Sequence, residues 1–171
     1  MKITRGRTVR LPDLRSVREG RLLAQDDGPH RREKAVAYVL MIDDNPQTRK
    51  YVEKIFRYRS KHELGFATTA SEAVESLVQR RPNVIMLDLF IPGMDGIDFF
   101  HSIRNHPATE SIPVIMHSPV ELDQLTKLRL KRVRFEGFAQ FPIAASELNE
   151  LIATALKRNE VSTKKWVPPA V

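Results

Sequence analysis

The sequence predicts an α/β fold: a doubly wound, five-stranded parallel sheet with helices on both faces. Three observations carry that reading. Short apolar runs of strand length recur five times along the chain. Each is followed by a segment with an apolar stripe at helical spacing. Two of the runs end in aspartate, at the carboxyl ends where an open parallel sheet places its chemistry.

Residues 35–42 are a continuous apolar run ending in Asp43 and Asp44, the pattern of a strand buried on both faces. Asn45 then supplies a helix cap, and Pro46 suits a first helical position. Val52, Ile55 and Phe56 form the stripe of the first helix. Residues 63–67 read as a second strand. Thr69 and Glu72 have the spacing of a capping box, and Ala73, Val74, Leu77 and Val78 are the expected buried face of the second helix. Residues 83–87 make a third strand, broken by Asp88. A turn at Pro92-Gly93 leads to a third helix marked by Ile97, Phe100 and Ile103. Residues 112–116 are the fourth strand, the basic segment 121–134 holds the fourth helix, and residues 138–141 are the fifth strand. Ser146 is the expected cap of a last helix with Leu148, Leu151, Ile152, Ala155 and Leu156 on one face. Strands alternating with helices give a parallel sheet, and right-handed crossovers favour the flavodoxin-like order 2-1-3-4-5.

Composition bounds the rest. The chain has 171 residues, 42% hydrophobic, enough for one domain with tails. It has no cysteine, which excludes disulfides, thiolate zinc sites and a cysteine nucleophile. No apolar run reaches membrane-spanning length, and the arginine-studded start lacks the apolar core of a secretory signal. A cytoplasmic location is the expectation. The net charge of +7 is uneven: residues 1–34 hold ten Lys/Arg against five Asp/Glu, whereas residues 35–158 hold sixteen against fifteen. Three segments follow: a basic, flexible arm 1–34 with a short helix possible over 14–23, a folded domain 35–158, and a tail 159–171 without a core pattern. The arm has no aromatic residue for base stacking, so salt-sensitive, sequence-independent nucleic-acid binding is the most it offers, against a solubilising tail.

Asp43, Asp44 and Asp88 all fall at strand ends, and Ser118 follows the fourth strand. Carboxylates gathered at one edge repel unless a proton or a cation relieves them. Oxygen donors alone suit a hard cation, Mg2+ first. The same acids would repel a flavin phosphate. His117, beside Ser118, has two readings, a site histidine or a satisfied, partly buried strand residue; the second is favoured, since no second histidine stands at a metal-ligand spacing from it.

The segments VLMIDDNP, NVIMLDLFIPGMDG and PVIMHSP resemble the receiver domains of two-component response regulators, over residues 36–158. The acid pair precedes Asp88 by 44–45 residues and Ser118 follows it by 30, separations similar to the family's. The resemblance implies that Asp88 accepts a phosphoryl group from a histidine kinase or phosphotransfer protein. It implies that Asp44, Asp88 and the backbone carbonyl of Phe90 ligate Mg2+, with Asp43 acting through water. It makes Ser118 the switch hydroxyl and Phe138 the switch aromatic. The implied role is signalling in a phosphorelay rather than enzymatic turnover, through a protein partner on the face of the fourth helix, fifth strand and fifth helix. Lys127, Arg129, Lys131, Arg132 and Arg134 lie there, suited to an acidic partner or simply solvated, and a homodimer is left open.

The chain departs from the family pattern in three places. Phe141 precedes Pro142 where the family carries a lysine, which forfeits a charge-assisted hydrogen bond worth on the order of 1.5–3 kcal/mol. Pro119 follows Ser118 where a small residue is usual and would narrow access to Asp88. Phe90 and Val120 are apolar at positions that help water attack the acyl phosphate, so slow loss of the phosphoryl group is expected. Phe141 and Pro119 keep a second reading open, a pseudo-receiver that binds partners without phosphorylation.

Overall fold

The computed structural model describes residues 36–163. The arm 1–34, with its expected short helix, and the end of the tail lie outside the described residues. The elements in order are β1 (Tyr38–Ile42), α1 (Pro46–Arg59), β2 (Glu63–Ala67), α2 (Ala70–Gln79), β3 (Val84–Asp88), β4 (Phe90–Ile91), β5 (Met94–Asp95), α3 (Gly96–Arg104), β6 (Val114–Ser118), α4 (Gln124–Leu130), β7 (Gly137–Gln140) and α5 (Ala145–Thr163).

The main sheet is parallel throughout, in the order β2-β1-β3-β6-β7. Counting only its own strands, that is the order 2-1-3-4-5 expected from the sequence. The central strands β1, β3 and β6 are buried almost without exception, because helices cover both faces. Alternate residues feed two cores. Leu40, Ile42, Ile85, Leu87, Val114 and Met116 pack on the side of α2 and α3. Val39, Met41, Val84, Met86, Ile115 and Ala139 pack against α1 and α5 through Val52, Phe56, Leu148 and Ile152. Among the described residues no helix is long and apolar enough to cross a membrane.

Several boundaries differ from the sequence reading. β6 begins at Val114 rather than 112, since Pro113 has no N–H for the ladder and offers only its carbonyl, which accepts from Ile85 N at 2.9 Å. Val78 is not on the buried face of α2: it sits at the edge of the stripe and is 39% exposed. Thr69 caps α2 as expected, but Glu72 reaches past it to the backbone N and Oγ1 of Thr68, both at 2.7 Å. Ser146 does not cap α5. It lies inside the helix, whose first turn closes on the carbonyl of Ala144 at 3.0 Å from Leu148 N, and α5 continues to Thr163, past residue 158. The Pro92-Gly93 turn belongs to a small antiparallel hairpin, β4 with β5, that periodicity could not reveal in strands two residues long. Gly93, at φ 78°, takes the left-handed conformation this tight turn needs.

Candidate functional site

The pleat explains why four side chains meet beyond the sheet's carboxyl edge. Met41, Met86, Ile115 and Ala139 all face the α1/α5 core. Two residues further along each chain stand Asp43, Asp88, His117 and Phe141, on the same face. Asp43 and His117 are fully buried and Asp88 nearly so. One ligating atom from each of these three lies within 4.8 Å of the others.

The loops tie the acids down. Asp43 Oδ1 accepts the backbone N–H of Asn45 at 2.6 Å while Asn45 caps α1, so the strand end and helix start are locked together. Asp43 Oδ2 has no partner. Asp88 Oδ1 accepts from Phe90 N at 3.1 Å. Behind Asp88 the chain doubles back so closely that a Cβ on Gly96 would lie 2.2 Å from the Asp88 carbonyl oxygen. No side chain fits there. Asp95 caps α3 through Ile97 N at 2.8 Å and pairs with Arg129 of α4 at 2.7 Å.

Burial dominates the electrostatics. It pushes the Asp88 carboxyl up to about 7, with smaller increments from Asp43 and Asp44 against the pull of the Phe90 amide. It likewise raises Asp43 to about 6, opposed by the Asn45 amide and by the Arg49 guanidinium. Burial pushes His117 the other way, down to about 3, so its imidazole is neutral. The 3.9 Å approach of His117 Nδ1 to Asp43 Oδ2 is therefore not an ion pair. Both ring nitrogens lack a partner, which corrects the expectation of a satisfied, partly buried histidine.

The other expected site residues take separate places. Asp44 is exposed beside the buried acids and raises the pKa of both. Ser118 is fully buried; its hydroxyl donates to Val120 O at 2.8 Å and accepts from Val120 N at 3.2 Å. Phe138 points to the opposite face, against the α2/α3 core. Phe141 is buried edge-on between His117, with ring centres 5.2 Å apart, and Tyr51, at 6.2 Å. Tyr51 is fixed by donating to Ile143 O at 2.7 Å. Three aromatic rings, Tyr51, Phe141 and His117, thus pack in a row at this edge. Phe90 presents its amide to Asp88, a contact outside the carbonyl role the resemblance implied.

Sequence reasoning also missed Arg49 and Gln140. Arg49 lies in the opening turn of α1, where a cation opposes the helix dipole, and that misfit is the one signal it left. Its charge acts on Asp43, so the site has a cation from α1 although the fifth strand supplies none. Gln140 Nε2 donates to both Ser118 O and Val120 O at 3.0 Å, pinning the loop after β6. Pro119 lines a groove of about 800 Å³ between α4 and β7, together with Leu122, Lys127, Leu130, Phe138 and Phe141.

A doubly wound parallel sheet with buried acids at its carboxyl edge defines the class of the molecule. A family profile described as "Response regulator receiver domain" matches residues 39–153. The chain belongs to that family, the receiver domains of two-component signalling. It is 24% identical over 132 residues to response regulator Rre1 of Synechocystis sp., covering 73% of this chain and 54% of Rre1. It is 26% identical over 126 residues to the DNA-binding response regulator MtrA of Mycolicibacterium smegmatis, 71% of this chain and 51% of MtrA. A protein-glutamate methylesterase/protein-glutamine glutaminase of Bdellovibrio bacteriovorus is 39% identical over 75 residues, but only 21% of it is covered. The chain thus spans about half, or less, of these three curated relatives. Among solved structures, a putative response regulator from Chloroflexus aurantiacus shares the fold at a TM-score of 0.66 and 22% identity, covering 72% of this chain and all of that one. The receiver domain of sensor histidine kinase PA1611 from Pseudomonas aeruginosa, with magnesium in its active-site cleft, does so at 0.63 and 20% identity, covering 72% and 99%.

Proposed function

We propose that this receiver accepts a phosphoryl group on Asp88 from the phosphohistidine of a histidine kinase or phosphotransfer protein. The observation that carries this reading is the pairing at the sheet edge: Asp88, held by the Phe90 amide, beside the unpartnered Oδ2 of Asp43. In its ionised form an Asp88 oxygen attacks phosphorus, a P–O bond forms as the P–N bond to the donor imidazole breaks, and the imidazole leaves with the electron pair and takes up a proton. Asp43, Asp44 and Asp88 are the oxygen donors that fit a divalent cation such as Mg2+, with the Phe90 carbonyl as the further ligand the resemblance implies. When bound, the ion neutralises charge on the transferring oxygens. The Arg49 guanidinium adds positive potential at the same edge. To reach the new phosphoryl oxygen, the Ser118 hydroxyl must leave Val120, and the loop that Gln140 pins moves with it.

The signal then passes to a protein partner on the face of α4, β7 and α5. The groove between α4 and β7 and the exposed Leu125 and Leu128 of α4 support that placement. Of the basic residues there, Arg129 is committed to Asp95, and Lys127 stands 4.0 Å from Glu121.

Incubation of the full chain with acetyl phosphate and Mg2+, followed by intact-mass measurement, tests the proposal. A phosphoryl-sized gain in the wild type and none in Asp88→Asn is expected. No gain from acetyl phosphate or from a panel of phosphorylated histidine kinases would favour a phosphorylation-independent interaction module instead.

A further inference from the structure

His117 is the buried polar group that this mechanism leaves idle. Its side chain is inaccessible to water, and neither ring nitrogen has a hydrogen-bond partner. A buried polar group without a partner is costly, and an aliphatic residue would fill the same strand position without that cost. The Phe141 ring, edge-on at 5.2 Å, fixes the imidazole plane from one side. Nδ1 approaches the equally unpartnered Oδ2 of Asp43 at 3.9 Å, too far for a hydrogen bond and in the range of two ligands of one ion. Bonds of about 2.0–2.2 Å from nitrogen and oxygen to a single ion bring neighbouring ligands to roughly 3 Å. The three ligating atoms, within 4.8 Å of one another, must close further to hold one ion.

We propose that His117 is a direct imidazole ligand, alongside Asp43 and Asp88, of the divalent ion at this edge, and that it shifts the site's preference away from Mg2+ toward first-row transition ions, most strongly Co2+ and Zn2+ and least strongly Mn2+. The inference rests on the reading of the acid cluster as a divalent-cation site. Mg2+ takes oxygen donors and gives up its waters reluctantly, whereas imidazole suits ions such as Zn2+ and Ni2+; Mn2+ stands nearer Mg2+ in this respect and serves as the paramagnetic probe. Oxygen-only sites also follow the general order of transition-ion affinities, so the decisive quantity is the part of the preference that depends on His117. In this arrangement Asp44, exposed at the rim, stays an oxygen donor to the same ion.

The test is a titration of the full chain with Mn2+, followed by electron paramagnetic resonance and competition with Mg2+, for wild type, His117→Gln and Asp88→Asn. The expected result is a fall of roughly tenfold or more in the Mn2+-over-Mg2+ preference of His117→Gln, with Mg2+ affinity little changed. Spin-echo modulation from a directly bound nitrogen is expected on Mn2+ in the wild type and lost in both variants. If His117→Gln does not fold, the wild-type nitrogen signal and its loss in Asp88→Asn still decide. Mn2+ bound without nitrogen modulation, or with an unchanged preference in His117→Gln, overturns the ligand assignment and leaves the phosphoryl-acceptor reading standing. No ion bound to the wild type overturns this inference and, with it, the ion-assisted reading on which it rests.

Discussion

At Asp88 and Asp43, burial and the proposed phosphoryl chemistry pull in opposite directions. In an unfolded chain both carboxyls titrate near 3.9, whereas in the fold Asp88 rises to about 7 and Asp43 to about 6. Between about pH 4 and pH 7 the folded protein therefore holds more protons than the unfolded one, and its stability falls as pH rises through that window. His117 has the opposite sign. It is driven down to about 3 from 6.5, so its contribution is intact above 6.5 and is lost as pH falls toward 3. The net expectation for the ion-free protein is a stability maximum on the acid side of neutrality. Asp88→Asn, which removes the buried charge, should be more stable than wild type at pH 8 by on the order of 4 kcal/mol, and the gap should close near pH 4. Urea unfolding in the presence of a chelator checks this, and equal gaps at the two pH values would refute the desolvation argument. Phe90 and Val120, both about half exposed, carry a kinetic expectation. Neither side chain can orient water, so an acyl phosphate on Asp88 should outlast seconds, and Phe90→Asn should shorten its life several-fold when decay is followed by mass.

Among the elements, the loops after β3 and β6 position the chemistry. Gly96→Ala would drive a methyl group into the Asp88 carbonyl, and a loss of about 1–3 kcal/mol in urea unfolding, with weakened phosphoryl uptake, is expected. Gln140→Ala removes both hydrogen bonds that pin Val120 and Ser118. Amide exchange in the loop after β6 should then quicken by about tenfold, and an unchanged rate would show that the Ser118–Val120 contacts suffice. Elements of this kind were only partly legible in the sequence. β1 and β3 stood out because four or more consecutive apolar residues end at an acid, and Asp43 and Asp88 were legible for the same reason. Val78 and Ser146 were misplaced because a stripe's edge and a cap's register depend on a shift of one residue. Arg49 and Gln140 were illegible as site residues, and His117 was only an outweighed alternative. Their importance comes from which strands and helices become neighbours, and no local pattern encodes that.

On the scale of the whole molecule, one topological fact organises the rest: β1 and β3 are adjacent and parallel, so acids 45 residues apart in sequence end at the same edge. That placement follows from the crossover rule and was readable in advance, whereas the aromatic tier of Tyr51, Phe141 and His117 required coordinates. A nearly neutral folded domain joined to a basic arm also separates two properties that one net charge would merge. Net charge near the arm bears on solubility and weak anion contacts, and the proposed phosphoryl chemistry belongs to the sheet edge of the nearly neutral domain. The most direct measurement is chemical trapping of the intermediate. The full chain is treated with acetyl phosphate and Mg2+, reduced with borohydride, digested, and its peptides mapped by mass. An aspartyl phosphate is converted to homoserine by this reduction, and the conversion should be found at residue 88 alone. Homoserine at 43 or 44, or unmodified Asp88 in a sample that has gained a phosphoryl group, would contradict the account.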